Sequence, residues 1–233
     1  MQDENATSLA TWNISKNENL TLLGRIAENA KIICLQEVHG AIKETLNLRK
    51  NQNYYEGKYK IGRVCYNLIY WDNEATENNS MGLAILWHDS IPVRKKGVYR
   101  FNANHGSPSE RRGLPWIEFG EDITRTIKIY SYHSASQGDN SKHSRNVIND
   151  IGCMMSYNNQ ATFGDFNLTK DYLNRMLPDN LKLVARESAT RPKSGKNIDY
   201  CLHKENLCVK AMEYIEWTGT SDHTPVFFSI KHI

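Results

Sequence analysis

The chain has 233 residues, 39% of them hydrophobic, and a formal net charge of +3. That length fits one large domain or two small ones with a substantial core, and so small an excess of charge allows a polyanionic partner without requiring one. No apolar run approaches the roughly 20 residues that span a bilayer, and the five cysteines contain no close C-x-x-C pair, which argues against a zinc cage and a fully paired disulfide framework.

In chain order, short apolar, β-branched or aromatic runs recur: SLATWNI, KIICLQE, VCYNLIYW, GLAILWH, LPWIEFG, TIKIYSYH, QATFGDF, IDYCLH and PVFFSI. Each reads as a strand. After the first, NENLTLLGRIAENA places Leu22, Leu23, Ile26 and Ala30 on one helix face. A longer helix is expected in SKHSRNVINDIGCMMSY, with Val147, Ile148, Ile151, Met154 and Met155 together and Ser141 as its cap. TKDYLNRML suggests a further helix, capped by Asn167 or Thr169. The basic stretches RKK (residues 94–96) and RPKSGK (residues 191–196) read as solvated loops, and the tryptophans as core. His88, His105, His143, His203 and His232 have no motif around them. With no linker, charge block or internal repeat, residues 1–233 are expected to form one mixed α/β domain.

Several of these runs end in polar groups. ATWN stops at Asn13, CLQE at Glu37, YSYH at His133 and GDFN at Asp165 and Asn167, while TGTSDHTP presents Asp222 and His223 ahead of the last strand. Alternate strand residues share a face, so Asp165 and Asn167 are expected to project together while Phe166 turns the other way. Singly, each is an ordinary turn, cap or surface residue. Their repetition at strand ends, which line clefts in layered α/β proteins, changes that reading. If they converge, Asn13, Glu37, Asp165, Asn167 and Asp222 supply hard oxygen ligands suited to Mg²⁺ or Ca²⁺, and His133 and His223 supply imidazoles. A cation held by one or two carboxylates beside a histidine suits hydrolysis of a phosphate ester.

The motifs WN, LQE, YHSAS, GDFN, IDY and SDHTPV occur in that order between residues 12 and 226. In this combination the chain resembles the DNase I-like endonuclease/exonuclease/phosphatase superfamily. The resemblance implies a four-layer α/β sandwich of two packed mixed β-sheets with helices on the outer faces. It implies Mg²⁺ at Glu37, with Asn13 and Asp222 beside it, and Ca²⁺ or Mn²⁺ as substitutes. Asp165 would position or deprotonate the attacking water, and Asn167 would hydrogen-bond the scissile phosphate, with Asn13 also bordering the substrate. His223, oriented by Asp199, would stabilise charge on the phosphate. Arg112, next to Arg111, falls at a phosphate-contacting position.

His133 narrows the branch. Apurinic-site endonucleases usually carry a tyrosine–proline type segment at this strand end, whereas DNase I, sphingomyelinases and the catalytic subunit of cytolethal distending toxin carry a histidine there. A histidine can protonate a leaving oxygen near neutral pH. The runs NLIYWDNEATENNSMGLAILWHD and ERRGLPWIEFG, then YSYHSASQGDN, are most similar in layout to the toxin subunit, though this chain is shorter and richer in cysteine. The implied function is a Mg²⁺-dependent phosphodiesterase that nicks DNA as the catalytic part of a genotoxin, with delivery subunits as partners. It would be a soluble, secreted bacterial effector acting in a host nucleus, its signal peptide removed, or otherwise a cytoplasmic protein. A phosphoinositide or other phospholipid is the alternative substrate. A non-catalytic binding subunit would be expected to have lost ligand positions, and all are filled. Asn13 and Asn167 both lie in N-x-S/T sequons, which weighs against a glycosylating route.

Overall fold

The computed structural model describes residues 6–15, 22–72, 82–101, 113–136, 138–212 and 221–233. Arg111, Arg112, His105 and Trp217 lie outside the described residues. Among the described residues, one sheet has eight strands: β1 (Thr7–Asn13), β2 (Ile32–Val38), β3 (Arg49–Asn51), β4 (Tyr54–Ile61), β5 (Val64–Trp71), β6 (Gly82–His88), β13 (Leu207–Met212) and β14 (Val226–His232). Their spatial order is β13-β14-β1-β2-β6-β5-β4-β3. The other has six, β7 (Val93–Arg100), β8 (Gly113–Phe119), β9 (Ile127–His133), β10 (Gln160–Asp165), β11 (Leu181–Val184) and β12 (Asp199–Lys204), in the order β11-β12-β10-β9-β8-β7. Both sheets are mixed. β1 runs parallel to β2 and β9 parallel to β10, and each of these pairs has antiparallel neighbours.

Strand alternation builds the layers. Leu9, Cys34, Ile85, Ile129, Phe163 and Phe228 point between the sheets and form one core. The opposite face of the eight-stranded sheet, with Ala10, Trp12, Ile33 and Leu35, is covered by Leu23 and Ile26 of α1 (Leu23–Ala27) and Ile42 of α2 (Ile42–Thr45). The outer face of the six-stranded sheet, with Tyr130, Tyr132 and Leu202, is covered by Val147, Ile151 and Met154 of α3 (Ser141–Met154) and Leu173 of α4 (Lys170–Asn174). The result is the expected four-layer sandwich with helices outside.

All nine strands read from the sequence are present, and β3, β4, β7, β11 and β13 join them. Four of these five are sheet edges and β4 lies next to an edge, where fewer side chains are buried and no apolar run is needed. The RKK stretch is accordingly part of β7 and not a loop. The cap of α3 is Asn140, whose side chain accepts from the His143 amide, so Ser141 is the first helical residue. At α4 neither expected side-chain cap forms: Thr169 holds the N-cap position but its hydroxyl donates to Asp139, and Asn167 has a left-handed φ of 50°. Cys34 and Cys201 are buried, and none of the five cysteines is in a disulfide.

Gly164 shows how closely the strands that carry the site approach. A Cβ built there would lie 1.8 Å from the carbonyl oxygen of Tyr132, its register partner in β9. Backbone cannot yield as a flexible side chain can, so Gly164→Ala is expected to cost on the order of 3 kcal/mol. Urea unfolding followed by far-ultraviolet circular dichroism measures this, and a loss below about 0.5 kcal/mol would contradict the close approach.

Candidate active site

The carboxyl ends of the two parallel pairs meet at one end of the sandwich, because β1 packs across β10 and β2 across β9. Along β1, Leu9 and Thr11 point inward, so Asn13 does too. Along β9, Ile127, Ile129 and Ser131 precede His133 on the inner face, and along β10 Ala161 and Phe163 precede Asp165. Beneath them, Gln36 Nε2 donates to Thr11 Oγ1 (3.1 Å) and Ser131 Oγ (3.1 Å), a fully buried tie between the sheets.

Glu37 breaks the alternation. Leu35 faces the outer core, so regular pleating would send Glu37 there as well, but the strand bulges between Leu35 and Val38 and Glu37 takes φ 54°. The bulge re-aims its carboxylate into the cleft, at the cost of a left-handed backbone. Asn13 Nδ2 then bridges two carboxylates, donating to Glu37 Oε1 (3.2 Å) and Asp165 Oδ2 (3.0 Å). His133 Nε2 lies 3.7 Å from each of the same two oxygens.

At Asp165 the strand ends. Phe166 turns into the outer core and stacks on Tyr200 with ring centroids 4.3 Å apart, as the alternation predicts. Asn167 reaches its position differently: it lies in a turn, where its amide donates to Asp165 Oδ1 (2.8 Å) and its side-chain Nδ2 to the Ser134 carbonyl (3.2 Å). The Asn167 side chain is thus fixed by the YHSAS segment.

Two further elements complete the cleft. Asp199 opens β12 in register with Asp165, and its Oδ2 accepts from His223 Nδ1 at 2.8 Å. A carboxylate only accepts, so Nδ1 carries the proton and Nε2 faces Asp165 Oδ2 at 3.8 Å. Thr190, fully buried, ties these pieces together. Its hydroxyl accepts from the amides of Ile198 and Asp199, and its carbonyl accepts from the Thr224 amide. Trp12 Nε1 donates to the His223 carbonyl, and Ser221 Oγ to the Asn13 carbonyl. Asp222 sits at the rim, with Ser15 Oγ donating to Oδ1 (2.5 Å) and Arg191 Nε to Oδ2 (2.8 Å). Arg191, expected in a solvated loop, is therefore part of the site's edge. His143, which had no motif, is buried with Nε2 3.2 Å from Ser134 Oγ, behind the same wall.

Burial and the neighbouring Asp199 charge raise the Asp165 carboxyl to about 7, against the opposing pull of His223 and Asn13. Burial alone would lower His223, but its hydrogen bond to Asp199 and the surrounding carboxylates raise it to about 9. Asp222 is lowered, because donation from Ser15 and Arg191 outweighs its partial burial. The cleft thus holds an imidazolium beside a carboxyl group poised near neutrality.

Ligand atoms of Asp165, Asp199 and His223 lie within 4.8 Å of one another, close enough to share a cation. The His223–Asp199 hydrogen bond already fills the space between two of them, so a cation there would have to displace a proton. Glu37 offers a better fit to a hard cation, since its hydrogen bond among the described residues comes from Asn13 alone and its carboxylate borders the open cleft. Asn13 has Oδ1 engaged by the Ser15 amide and Asp222 has both oxygens engaged, so a cation at either would have to displace a partner.

Residues 10–223 match the sequence model of the Endonuclease/Exonuclease/phosphatase family. The chain belongs to this family. Family members are phosphoric-ester hydrolases. No curated protein sequence matches the chain. Among solved structures, the fold is similar to a chain of the Haemophilus ducreyi cytolethal distending toxin, with TM-score 0.68, 18% identity and coverage of 97% of this chain and 98% of that one. It is similar also to the cytolethal distending toxin of Actinobacillus actinomycetemcomitans (TM-score 0.64, 19% identity, 97% of each chain). A third likeness is to D. rerio TDP2 complexed with single strand DNA product (TM-score 0.62, 12% identity, 98% of this chain and 100% of that one). These likenesses concern the fold. Among the described residues, no helix is long and apolar enough to cross a membrane.

Proposed function

We propose that this family member is a divalent-cation-dependent phosphodiesterase acting on DNA, the catalytic part of a genotoxin that other subunits deliver to a host nucleus. The observation that carries the chemistry is the continuous set of contacts from Glu37 through Asn13 to Asp165, with the His223–Asp199 pair alongside. The likeness to two cytolethal distending toxin structures and to a TDP2 complex with a DNA product supports the choice of DNA and of a toxin.

Glu37 would hold the cation, with Asn13 and Asp222 bordering it. Mg²⁺ suits this oxygen-rich set, with Ca²⁺ or Mn²⁺ as substitutes, and when bound it supplies charge neutralisation at the phosphoryl oxygens. Asp165 takes a proton from water as the water oxygen attacks phosphorus, a role suited to a carboxyl group raised to about 7. The His223 imidazolium, kept charged by Asp199, stabilises the extra negative charge on the phosphoryl oxygens. Asn13 and Asn167 position the phosphate, and Arg112 would contact it from outside the described residues. As the bond from phosphorus to the leaving ester oxygen breaks, His133 gives that oxygen a proton.

Purified protein is expected to convert supercoiled plasmid to the nicked form with Mg²⁺ and to leave it intact with EDTA, as read on agarose gels. Intact plasmid together with phosphate release from phosphoinositide vesicles would move the substrate from DNA to phospholipid. Inertness on both would defeat the proposed chemistry.

A further inference from the structure

Resting on the proposed cation site, we infer that Arg191 is a latch on that site: its ion pair with Asp222 opposes cation binding until an anionic substrate group draws the guanidinium away. The geometry is specific to this pair. Nε and Nη2 of Arg191 lie 2.8 and 2.6 Å from the same oxygen, Asp222 Oδ2, while Ser15 Oγ occupies Oδ1 at 2.5 Å. Both carboxylate oxygens are thereby engaged and the charge is offset by a guanidinium. A cation approaching Asp222 meets a positive charge where the oxygen-rich site needs a negative one.

The base of the latch is rigid and its tip is open. The Arg191 amide donates to the Lys196 carbonyl (2.9 Å), its own carbonyl accepts from the Ser194 amide (3.1 Å), and the preceding Thr190 is locked to Asp199. The Arg191 side chain is nevertheless 39% exposed, so an incoming phosphodiester can reach it. An exposed ion pair holds weakly, whereas the guanidinium fork matches two phosphate oxygens. Moving from Asp222 to the substrate, Arg191 would free Asp222 to face the cation. Linkage makes the effect reciprocal: the bound cation raises affinity for the anion by the factor that the anion raises affinity for the cation.

The test is Mn²⁺ binding to the full chain by titration calorimetry, without nucleic acid. Arg191→Gln is expected to bind Mn²⁺ about five- to tenfold more tightly than the wild type. Dimethyl phosphate, a simple phosphodiester anion, is expected to tighten Mn²⁺ binding in the wild type and not in the variant. Asp222→Asn/Arg191→Gln should bind no more tightly than Asp222→Asn, because the gain requires the partner. Equal or weaker binding by Arg191→Gln, or a gain that persists in the double variant, overturns the latch. Should Arg191→Gln not fold, Arg191→Lys, which loses the fork, is expected to give a smaller gain of the same sign, and no gain there overturns the proposal equally. Glu37→Gln serves as the separate check: if it binds Mn²⁺ as the wild type does, the cation lies elsewhere and the site assignment fails, whatever Arg191 does.

Discussion

His223→Gln is expected to lower kcat/KM for plasmid nicking by about 10³-fold while leaving the protein folded. The imidazole is held by Asp199 at 2.8 Å and faces Asp165 across 3.8 Å, so among the described residues it is the one group in the cleft that is both kept cationic and aimed at the proposed reacting centre. Glutamine is the informative replacement. Alanine would leave the buried Asp199 Oδ2 without its donor, next to the Asp165 carboxyl group, and breaking a buried pair costs about 3–5 kcal/mol. A glutamine amide can still donate to Asp199, which separates the chemical loss from unfolding. Thermal melting alongside the kinetics checks this. A folded His223→Gln that nicks within about tenfold of the wild type would remove His223 from the mechanism. Asp165→Asn, which keeps the shape and removes the proton acceptor, should show a loss of the same order for a different reason, and its kcat should fall more than its KM changes.

Glu37→Gln carries the second large effect. The change conserves volume, and a glutamine oxygen can still accept from Asn13 Nδ2, so the bulge should survive. What disappears is the charge that makes the cleft attractive to a hard cation. Activity is expected to fall at least about 10²-fold. Mg²⁺ should also stop stabilising the fold: at 100 times its dissociation constant a ligand adds about 2.7 kcal/mol to the wild type, and the variant should gain almost none. Scanning calorimetry with and without Mg²⁺ measures that difference independently of any substrate. Equal stabilisation of both proteins would place the cation away from Glu37 and favour the Asp165, Asp199 and His223 group in its stead.

Most of the architecture was readable in the chain because its central strands are apolar on both faces. VCYNLIYW and GLAILWH occupy the observed strands from end to end. The edges were not readable. YYEGKYKI in β4 and VRKKGVYR in β7 are half-solvated, and solvated strands carry neither a continuous apolar run nor a clean alternation. Helix caps failed for a related reason: Asn140 outcompetes its neighbour Ser141, and Asp139 engages the Thr169 hydroxyl, choices between adjacent polar residues that propensity does not rank.

The site divides along the same physical line. Strand periodicity alone determines that Asn13, His133 and Asp165 face inward at strand ends and that Phe166 faces out, because the pleat repeats every two residues whatever surrounds it. Tertiary structure decided the rest. Glu37 enters the cleft through a bulge that pleating forbids, and Asn167 through a left-handed turn closed on Ser134, thirty-three positions away in the chain. Arg191 meets Asp222 across a separation of 31 residues, and Asp199 meets His223 across 24. Such pairings depend on how the sheets pack and where their loops land. A local pattern of polar and apolar residues carries no information about either.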